Sequence, residues 1–171
     1  SSSGPRREVR QRCKSPVELP TESLGAHTHE LIDPESDPLL RWLESNGWFE
    51  REGQRVEIVH VSARLDGDDG IFDAPAEAVL AGMDLAVSPS LYEPWGSGPG
   101  LALAVGVPTV VSDLAGVGRW FAEHGVGPEQ GVTLLPRSEL SFDDARAQLV
   151  ERIDERLADG RSREELARAC R

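Results

Sequence analysis

Short runs of β-branched residues alternate with helix-like stretches along this chain, and that alternation limits the folds it can adopt. The runs are residues 56–61, 84–88, 109–112 and, more weakly, 132–135. Strands separated by helices pair in parallel, so the pattern predicts βαβ units around a parallel sheet. Aromatic residues make up only 5% of the 171 residues, which leaves Leu, Val, Ala and Ile to build the core and favours layered α/β packing.

Helix signals fall between these runs. Asp37 before Pro38 is typical of a helix start, and Asp73 is a candidate cap for the next helix. Ser141 opens a longer helix. Its apolar positions share one face: Phe142, Ala145, Leu149, Ile153 and Leu157. A last helix is predicted after residue 162, so helices and strands account for most of the chain beyond residue 35.

The formal net charge of the chain is −12, and it is unevenly spread. The first 14 residues hold five basic side chains against Glu8, so the remainder carries −16. This acidity argues against nucleic acid as the main ligand. Cys13 and Cys170 imply no disulfide framework and fit a reducing cytosol. With no signal peptide and no apolar run near the roughly 20 residues that span a bilayer, we expect a cytoplasmic protein without a membrane partner.

The segment from residue 88 to residue 100 is the most informative part of the chain. It reads Ser-Pro-Ser-Leu-Tyr-Glu-Pro-Trp-Gly-Ser-Gly-Pro-Gly, between an apolar strand and a helix of small residues. In open α/β sheets, ligands collect beyond the carboxyl ends of the strands, where a glycine-rich turn offers free N–H groups to an anion. The pattern predicts a phosphate-binding loop with Glu93 beside it as an acceptor for sugar hydroxyls. A tight strand-to-helix turn without a ligand explains the glycines equally well.

Other polar groups are better explained by structure than by chemistry. His27 and His29 lack a third ligand nearby, so loop packing is favoured over metal binding. The acidic turn at 66–70 lacks the closing glutamate of a calcium loop. A hydrolase elbow needs glycine two residues before its serine, and Trp95 occupies that position before Ser97. For residues 113–116, a binding role and a plain turn are equally open. Three tryptophans are predicted to pack in the core or at its boundary: Trp42, Trp48 and Trp120.

Five consecutive residues of the glycine-rich segment carry a resemblance to a known family. Residues 92–96, Tyr-Glu-Pro-Trp-Gly, resemble the signature of the glycogen synthases of animals, fungi and some bacteria. Further stretches match the family in order and spacing: Thr-His-Glu-Leu at 28–31, Asp-Pro-Leu-Leu at 37–40, Gln-Arg-Val-Glu-Ile-Val-His at 54–60, Gly-Val-Pro-Thr at 106–109 and Asp-Leu-Ala-Gly-Val-Gly at 113–118. The resemblance covers residues 26–137.

The resemblance implies a GT-B architecture, in which two Rossmann-like domains face each other across a cleft. This chain looks like the C-terminal domain, which holds the nucleotide sugar. In the family, the glutamate matching Glu93 lies beside the donor glucose. The positions that line the glucose and the diphosphate match Tyr92, Trp95, Gly96, Ser97 and Gly98. The family transfers glucose with retention of configuration, and no metal or other cofactor is expected.

Several positions depart from the family pattern. Leu101 replaces a second glutamate that holds the ribose, and donor affinity should fall because leucine accepts no hydrogen bond. Ser97-Gly98 replaces Tyr-Thr, and Ser88 replaces the phenylalanine of Phe-Pro-Ser. The stretch 73–76 lacks the aromatic platform expected for the nucleobase, with Phe72 as the nearest substitute. The family's Arg and Lys for the diphosphate have no match. Its regulatory arginine cluster is not convincingly matched by the C-terminal arginines: Arg161, Arg163, Arg168 and Arg171.

Two functional hypotheses follow. The first is a donor domain that transfers glucose from UDP-glucose to an α-1,4-glucan, with the acceptor held by an N-terminal domain that this sequence lacks; alone, the chain is expected to be inactive. The rival is a non-catalytic binding or interaction module derived from such an enzyme. A generic Rossmann-type nucleotide binder is disfavoured, because the chain lacks the Gly-x-Gly-x-x-Gly fingerprint after its first strand. Self-association of the full-length protein stays open. Residues 1–25 are predicted to be a poorly structured lead-in, and 26–171 a Rossmann-like nucleotide-sugar-binding domain truncated at both ends.

Overall fold

The structure is a computed structural model that describes residues 33–48, 58–62, 64–70 and 72–158, together with Glu165 and Arg168. These residues fall into two compact units, one that ends at Pro75 and one that begins at Ala76. Across the described ranges, no helix is both long and apolar enough to cross a membrane. The predicted lead-in at 1–25, the two histidines at 27 and 29, and most of the predicted last helix lie outside them.

The first unit contains helix α1 (Pro38–Ser45), which begins where the sequence predicts. The Asp37 carboxylate accepts hydrogen bonds from two N–H groups of the first turn, each at 2.9 Å. Leu40 and Leu43 are buried, three residues apart on one face. Trp42 is 55% exposed, so its predicted packing role is wrong. At 100° per residue, position 42 falls outside the face that positions 40 and 43 bury.

The rest of the first unit is irregular. The predicted strand at 56–61 is not formed over its described part, where His60 alone takes part in a bridge. Carboxylates stabilise the acidic turn at 66–70: Asp66 accepts from the Asp68 N–H at 3.1 Å, and Asp73, just beyond the turn, accepts from the Gly70 N–H at 2.9 Å. Asp66 also pairs with Pro75 in an antiparallel bridge, so the contacts of this turn are structural.

The second unit alternates helices and strands. Its elements are α2 (Ala76–Leu80), β1 (Ala86–Ser88), α3 (Ser97–Ala104), β2 (Thr109–Ser112), α4 (Gly116–Glu123), β3 (Val132–Leu135) and α5 (Phe142–Ala158), with 3-10 turns at Pro128–Gln130 and Arg137–Glu139. Helix α2 begins later than a cap at Asp73 requires, because that carboxylate is engaged in the preceding turn. The three strands form a parallel sheet in the order β1-β2-β3, which confirms the predicted α/β class.

The core of the second unit lies around β2, all four of whose residues are buried. Val111 packs with Val132 of β3 and Phe121 of α4. A parallel strand covered on both faces reads as a continuous run of β-branched residues, which is why its bounds were readable from sequence. Trp120 lies at the boundary of this core, 41% exposed, with its ring edge-on to Phe121 at a centroid distance of 5.8 Å.

Helix α5 covers the sheet with only the middle of its predicted apolar face. Its start is capped as predicted, since the Ser141 hydroxyl accepts from the Asp144 N–H at 3.2 Å. Ala145 is buried, whereas Phe142 and Leu157 are 70% and 61% exposed. A helix of 17 residues is about 25 Å long. The four residues of β3 span about 13 Å, so the ends of the helix extend past the sheet.

Candidate functional site

The glycine-rich segment lies at the carboxyl edge of the sheet, as the order of elements requires. Residues 89–96 leave the end of β1 and enter α3 at Ser97. Gly96 takes the cap position with φ +86°, a left-handed conformation that favours glycine. A Cβ atom on Gly96 would stand 2.9 Å from Oε2 of Glu93, so the carboxylate lies directly against this glycine. The backbone conformation requires glycine here, and a side chain at this position would displace the carboxylate of Glu93.

The first amides of α3 are open. Within the part of the chain that the structure describes, no group accepts a hydrogen bond from the N–H of Gly96, Ser97 or Gly98. The next residue, Pro99, has no N–H and is buried. The start of a helix carries the positive end of its dipole, and unbonded N–H groups there bind anions. Three neighbouring donors at this edge of the sheet therefore have no acceptor in the described chain; Ser97 and Gly98 are exposed, and Gly96 is buried.

The glycines inside α3 are not explained by packing. A Cβ atom on Gly98 or Gly100 would meet no atom within 4 Å. Glycine inside a helix costs about 1 kcal/mol relative to alanine. The described chain gains no close packing in return at these two positions. Glycine leaves the space above the first turn clear, as a closely approaching ligand requires.

Glu93 is held through both its side chain and its main chain. The Ser90 hydroxyl donates to Oε2 of Glu93 at 3.1 Å. The Glu93 carbonyl accepts from the Gly116 N–H at 3.1 Å, and the residue pairs with Ala115 in a parallel bridge. The partly buried carboxylate is thus fixed beside the open amides, with its remaining acceptor positions available to a neighbouring hydroxyl.

The turn between β2 and α4 supports the glycine-rich segment. The first amides of α4 are occupied, because Gly116 donates to Glu93 and the Val117 N–H donates to the Trp95 carbonyl at 2.7 Å. A Cβ atom on Gly116 would overlap the carbonyl oxygen of Pro94. For residues 113–116, where sequence left binding and a plain turn open, the observed contacts are structural.

The structure brings some of the predicted site residues together and leaves others at the rim. Glu93, Gly96 and the amides of Ser97 and Gly98 meet at the start of α3, as described above. Two aromatic side chains of the motif lie at the surface, Tyr92 at 81% and Trp95 at 53% exposure. Leu101 is partly buried in α3 and offers no polar atom. Across the described ranges, no three His, Cys, Asp or Glu side chains form a metal-binding group.

Sequence reasoning missed Arg137 and Ser138 at this edge, and it left the role of Asp113 open. Arg137, in the turn after β3, donates from Nη1 to the Pro89 carbonyl at the base of the glycine-rich segment. Asp113, after β2, accepts from the N–H of Ser138 at 3.0 Å and from its hydroxyl. The available signal was positional, since Arg137 and Asp113 follow closely on parallel strands whose ends share one edge.

The described residues thus form a parallel α/β unit with unbonded amides at the start of the helix after a strand, and in α/β proteins generally this is a common place for anions to bind. Comparison with known sequences then specifies the family. A sequence model described as glycogen synthase matches residues 16–169. The chain belongs to the glycogen synthase family, which confirms the resemblance found in its motifs.

Individual relatives agree with this assignment. Liver glycogen [starch] synthase of Mus musculus is 32% identical over 125 residues, which cover 72% of this chain and 18% of the relative. The liver enzyme of Homo sapiens is 32% identical over 123 residues, 71% of this chain and 18% of the relative. Glycogen [starch] synthase isoform 1 of Saccharomyces cerevisiae is 27% identical over 131 residues, which cover 75% of this chain and 18% of the relative. The chain thus spans less than a fifth of the length of these relatives.

Proposed function

We propose that this chain forms the donor-binding part of a retaining glycosyltransferase of GT-B architecture that transfers glucose from UDP-glucose to an α-1,4-glucan. The observation that carries the proposal is the set of open amides at Gly96, Ser97 and Gly98 beside a fixed carboxylate. Membership of the glycogen synthase family supports the same reading. The acceptor glucan would bind through an N-terminal domain. We place the protein in the cytoplasm because its two cysteines, far apart in sequence, suggest no disulfide framework and fit a reducing compartment.

The chemistry divides between two groups. The amides of α3 would bind the diphosphate and, with the helix dipole, offset the charge that grows on it as the bond to glucose breaks. Glu93 would accept hydrogen bonds from glucose hydroxyls and hold the sugar in a fixed orientation. The side chains of Tyr92 and Trp95 would form the outer wall of the sugar pocket. None of these roles requires a metal ion, so we propose a metal-independent reaction.

The decisive experiment is calorimetry of the chain with UDP and with UDP-glucose, followed by the same titrations of Glu93→Gln. The amide keeps the size of the side chain but loses the charged acceptor, so the UDP-glucose affinity should fall by about tenfold or more. The UDP affinity should change by less than about twofold, because UDP carries no glucose. An equal loss for both ligands would contradict the role of Glu93 at the sugar, and absence of binding to the wild type would refute the proposal.

A rival function, a non-catalytic binding module, is favoured by one observation. Leu101 lies on α3 one turn beyond the open amides. The resemblance to the family implies a glutamate that holds the ribose at this position. Under the enzyme hypothesis, Leu101→Glu should raise the UDP affinity by about tenfold, the value of one hydrogen bond to a carboxylate. No gain would count against the ribose contact and favour the rival. By itself the chain should transfer no radiolabelled glucose to glycogen, and measurable transfer would contradict this expectation.

A further inference from the structure

Arg137 links two strands that are not neighbours. The sheet order places β2 between β1 and β3. The turn after β3 carries Arg137, and its guanidinium donates to the carbonyl of Pro89, the first residue after β1. The side chain therefore crosses the carboxyl end of β2 to reach the base of the glycine-rich segment. Residues 48 positions apart are joined at the edge where the candidate site lies.

The position of Arg137 is itself fixed by its surroundings. The adjacent Ser138 donates its N–H and its hydroxyl to the Asp113 carboxylate, which ties the turn to the end of β2. The guanidinium lies 5.9 Å from the ring centroid of Phe142, within range of a cation–π contact. Arg137 also lines a cavity of about 210 Å³ with Pro89, Leu135 and Phe142. These contacts hold the guanidinium at the Pro89 carbonyl.

The carbonyl that accepts from Arg137 belongs to the residue next to Ser90, which contacts Glu93. Pro89 has no N–H, so its carbonyl is its only main-chain hydrogen-bonding group. The next residue, Ser90, donates to the carboxylate of Glu93. At the other end of the segment, the amides of α4 hold the carbonyls of Glu93 and Trp95. Arg137 thus fixes the end of the segment that the α4 turn does not reach.

We propose that Arg137 is a positioning residue that sets the carboxylate of Glu93 against the donor sugar by anchoring the Pro89 carbonyl. The inference rests on the proposed function for the identity of the ligand, and on the hydrogen bonds above for the anchoring. Arginine suits this role because its planar guanidinium donates to a carbonyl and stacks on an aromatic ring at once. The ammonium of lysine can also donate to the carbonyl but has no planar group to stack on the ring, so Arg137→Lys should retain part of the effect.

The test compares Arg137→Ala and Arg137→Lys with Arg146→Ala. Arg146 lines the same cavity, but it pairs with Asp143 at 3.4 Å, where both side chains are mostly exposed. Hydrogen exchange of residues 90–93 and calorimetry with UDP and UDP-glucose are measured on all three. In Arg137→Ala, exchange should rise at 90–93 and UDP-glucose affinity should fall roughly fivefold, with the UDP affinity within about twofold. Arg137→Lys should lie between the alanine variant and the wild type, and Arg146→Ala should match the wild type.

Each outcome decides a separate point. Unchanged exchange at 90–93 in a folded Arg137→Ala protein would overturn the anchoring. Raised exchange with an unchanged preference for UDP-glucose over UDP would overturn the positioning of Glu93. An equal effect in Arg146→Ala would assign the result to lost charge at the cavity and overturn the proposal. If the wild type binds neither ligand, the proposed function fails, and exchange alone still decides whether Arg137 holds the segment.

Discussion

Removal of a single main-chain donor from α3 tests the anion site directly. Ser97 is the first residue of the helix, a position where proline is well tolerated because its φ is preset and its N–H is not needed within the helix. Ser97→Pro therefore deletes one of the three open amides and leaves the helix in place. The preceding Gly96 has no Cβ to clash with the new ring, which reduces the usual restriction before proline.

The size of the effect follows from the kind of bond that is lost. A hydrogen bond to a charged group contributes about 1.5–3 kcal/mol, so the affinity for UDP should fall by roughly 10- to 150-fold. Ser97→Ala is the matched control, because it loses the hydroxyl and keeps the amide; its UDP affinity should stay within about threefold of the wild type. Isothermal titration calorimetry gives both constants, and thermal unfolding checks that each variant is folded. A folded Ser97→Pro protein that binds UDP as tightly as the wild type would refute the anion site.

Two further predictions use glycines with opposite surroundings. Gly116→Ala should lower the free energy of unfolding by about 2–4 kcal/mol, because the new methyl group overlaps the Pro94 carbonyl. Urea denaturation measures this free energy, and a loss below about 0.5 kcal/mol would contradict the close approach. Gly98→Ala should raise the free energy of unfolding by up to about 1 kcal/mol, since its methyl group meets nothing in the structure, yet weaken UDP binding where the ligand needs that space. Unchanged UDP affinity in Gly98→Ala would place the diphosphate elsewhere.

The buried strands were the most predictable part of the fold. The bounds of β2 and β3 agree with the sequence prediction residue for residue, because buried parallel strands consist of continuous apolar and β-branched runs. For β1 the prediction began two residues early, at Asp84, since strand ends depend on pairing with the neighbour as well as on composition. Trp42 shows the same limit for burial: its size suggested packing, but the face of α1 that is buried is set by Leu40 and Leu43.

The candidate site was predictable only where its parts are adjacent in sequence. Glu93 and Gly96 fall within one short segment, so their proximity could be inferred from the chain alone. The contact of Arg137 with Pro89 and that of Ser138 with Asp113 join residues 48 and 25 positions apart. Such contacts depend on strand order and on the exact exit of each turn, and neither is encoded in a local pattern. The rule that residues following parallel strands share one edge of the sheet identifies that edge, but it does not predict which of those residues form hydrogen bonds with each other.

Two successive strand–turn–helix units of this protein have the same local form and different uses. After β1, the helix starts with open amides; after β2, the first amides of α4 are saturated by the carbonyls of Glu93 and Trp95. The second unit therefore holds the first in place, and an anion would be drawn to α3 and not to α4. It follows that a change confined to the second turn, such as Gly116→Ala, should weaken UDP binding although Gly116 itself has no donor left for a ligand. Stability and affinity should then fall together at Gly116 and move in opposite directions at Gly98.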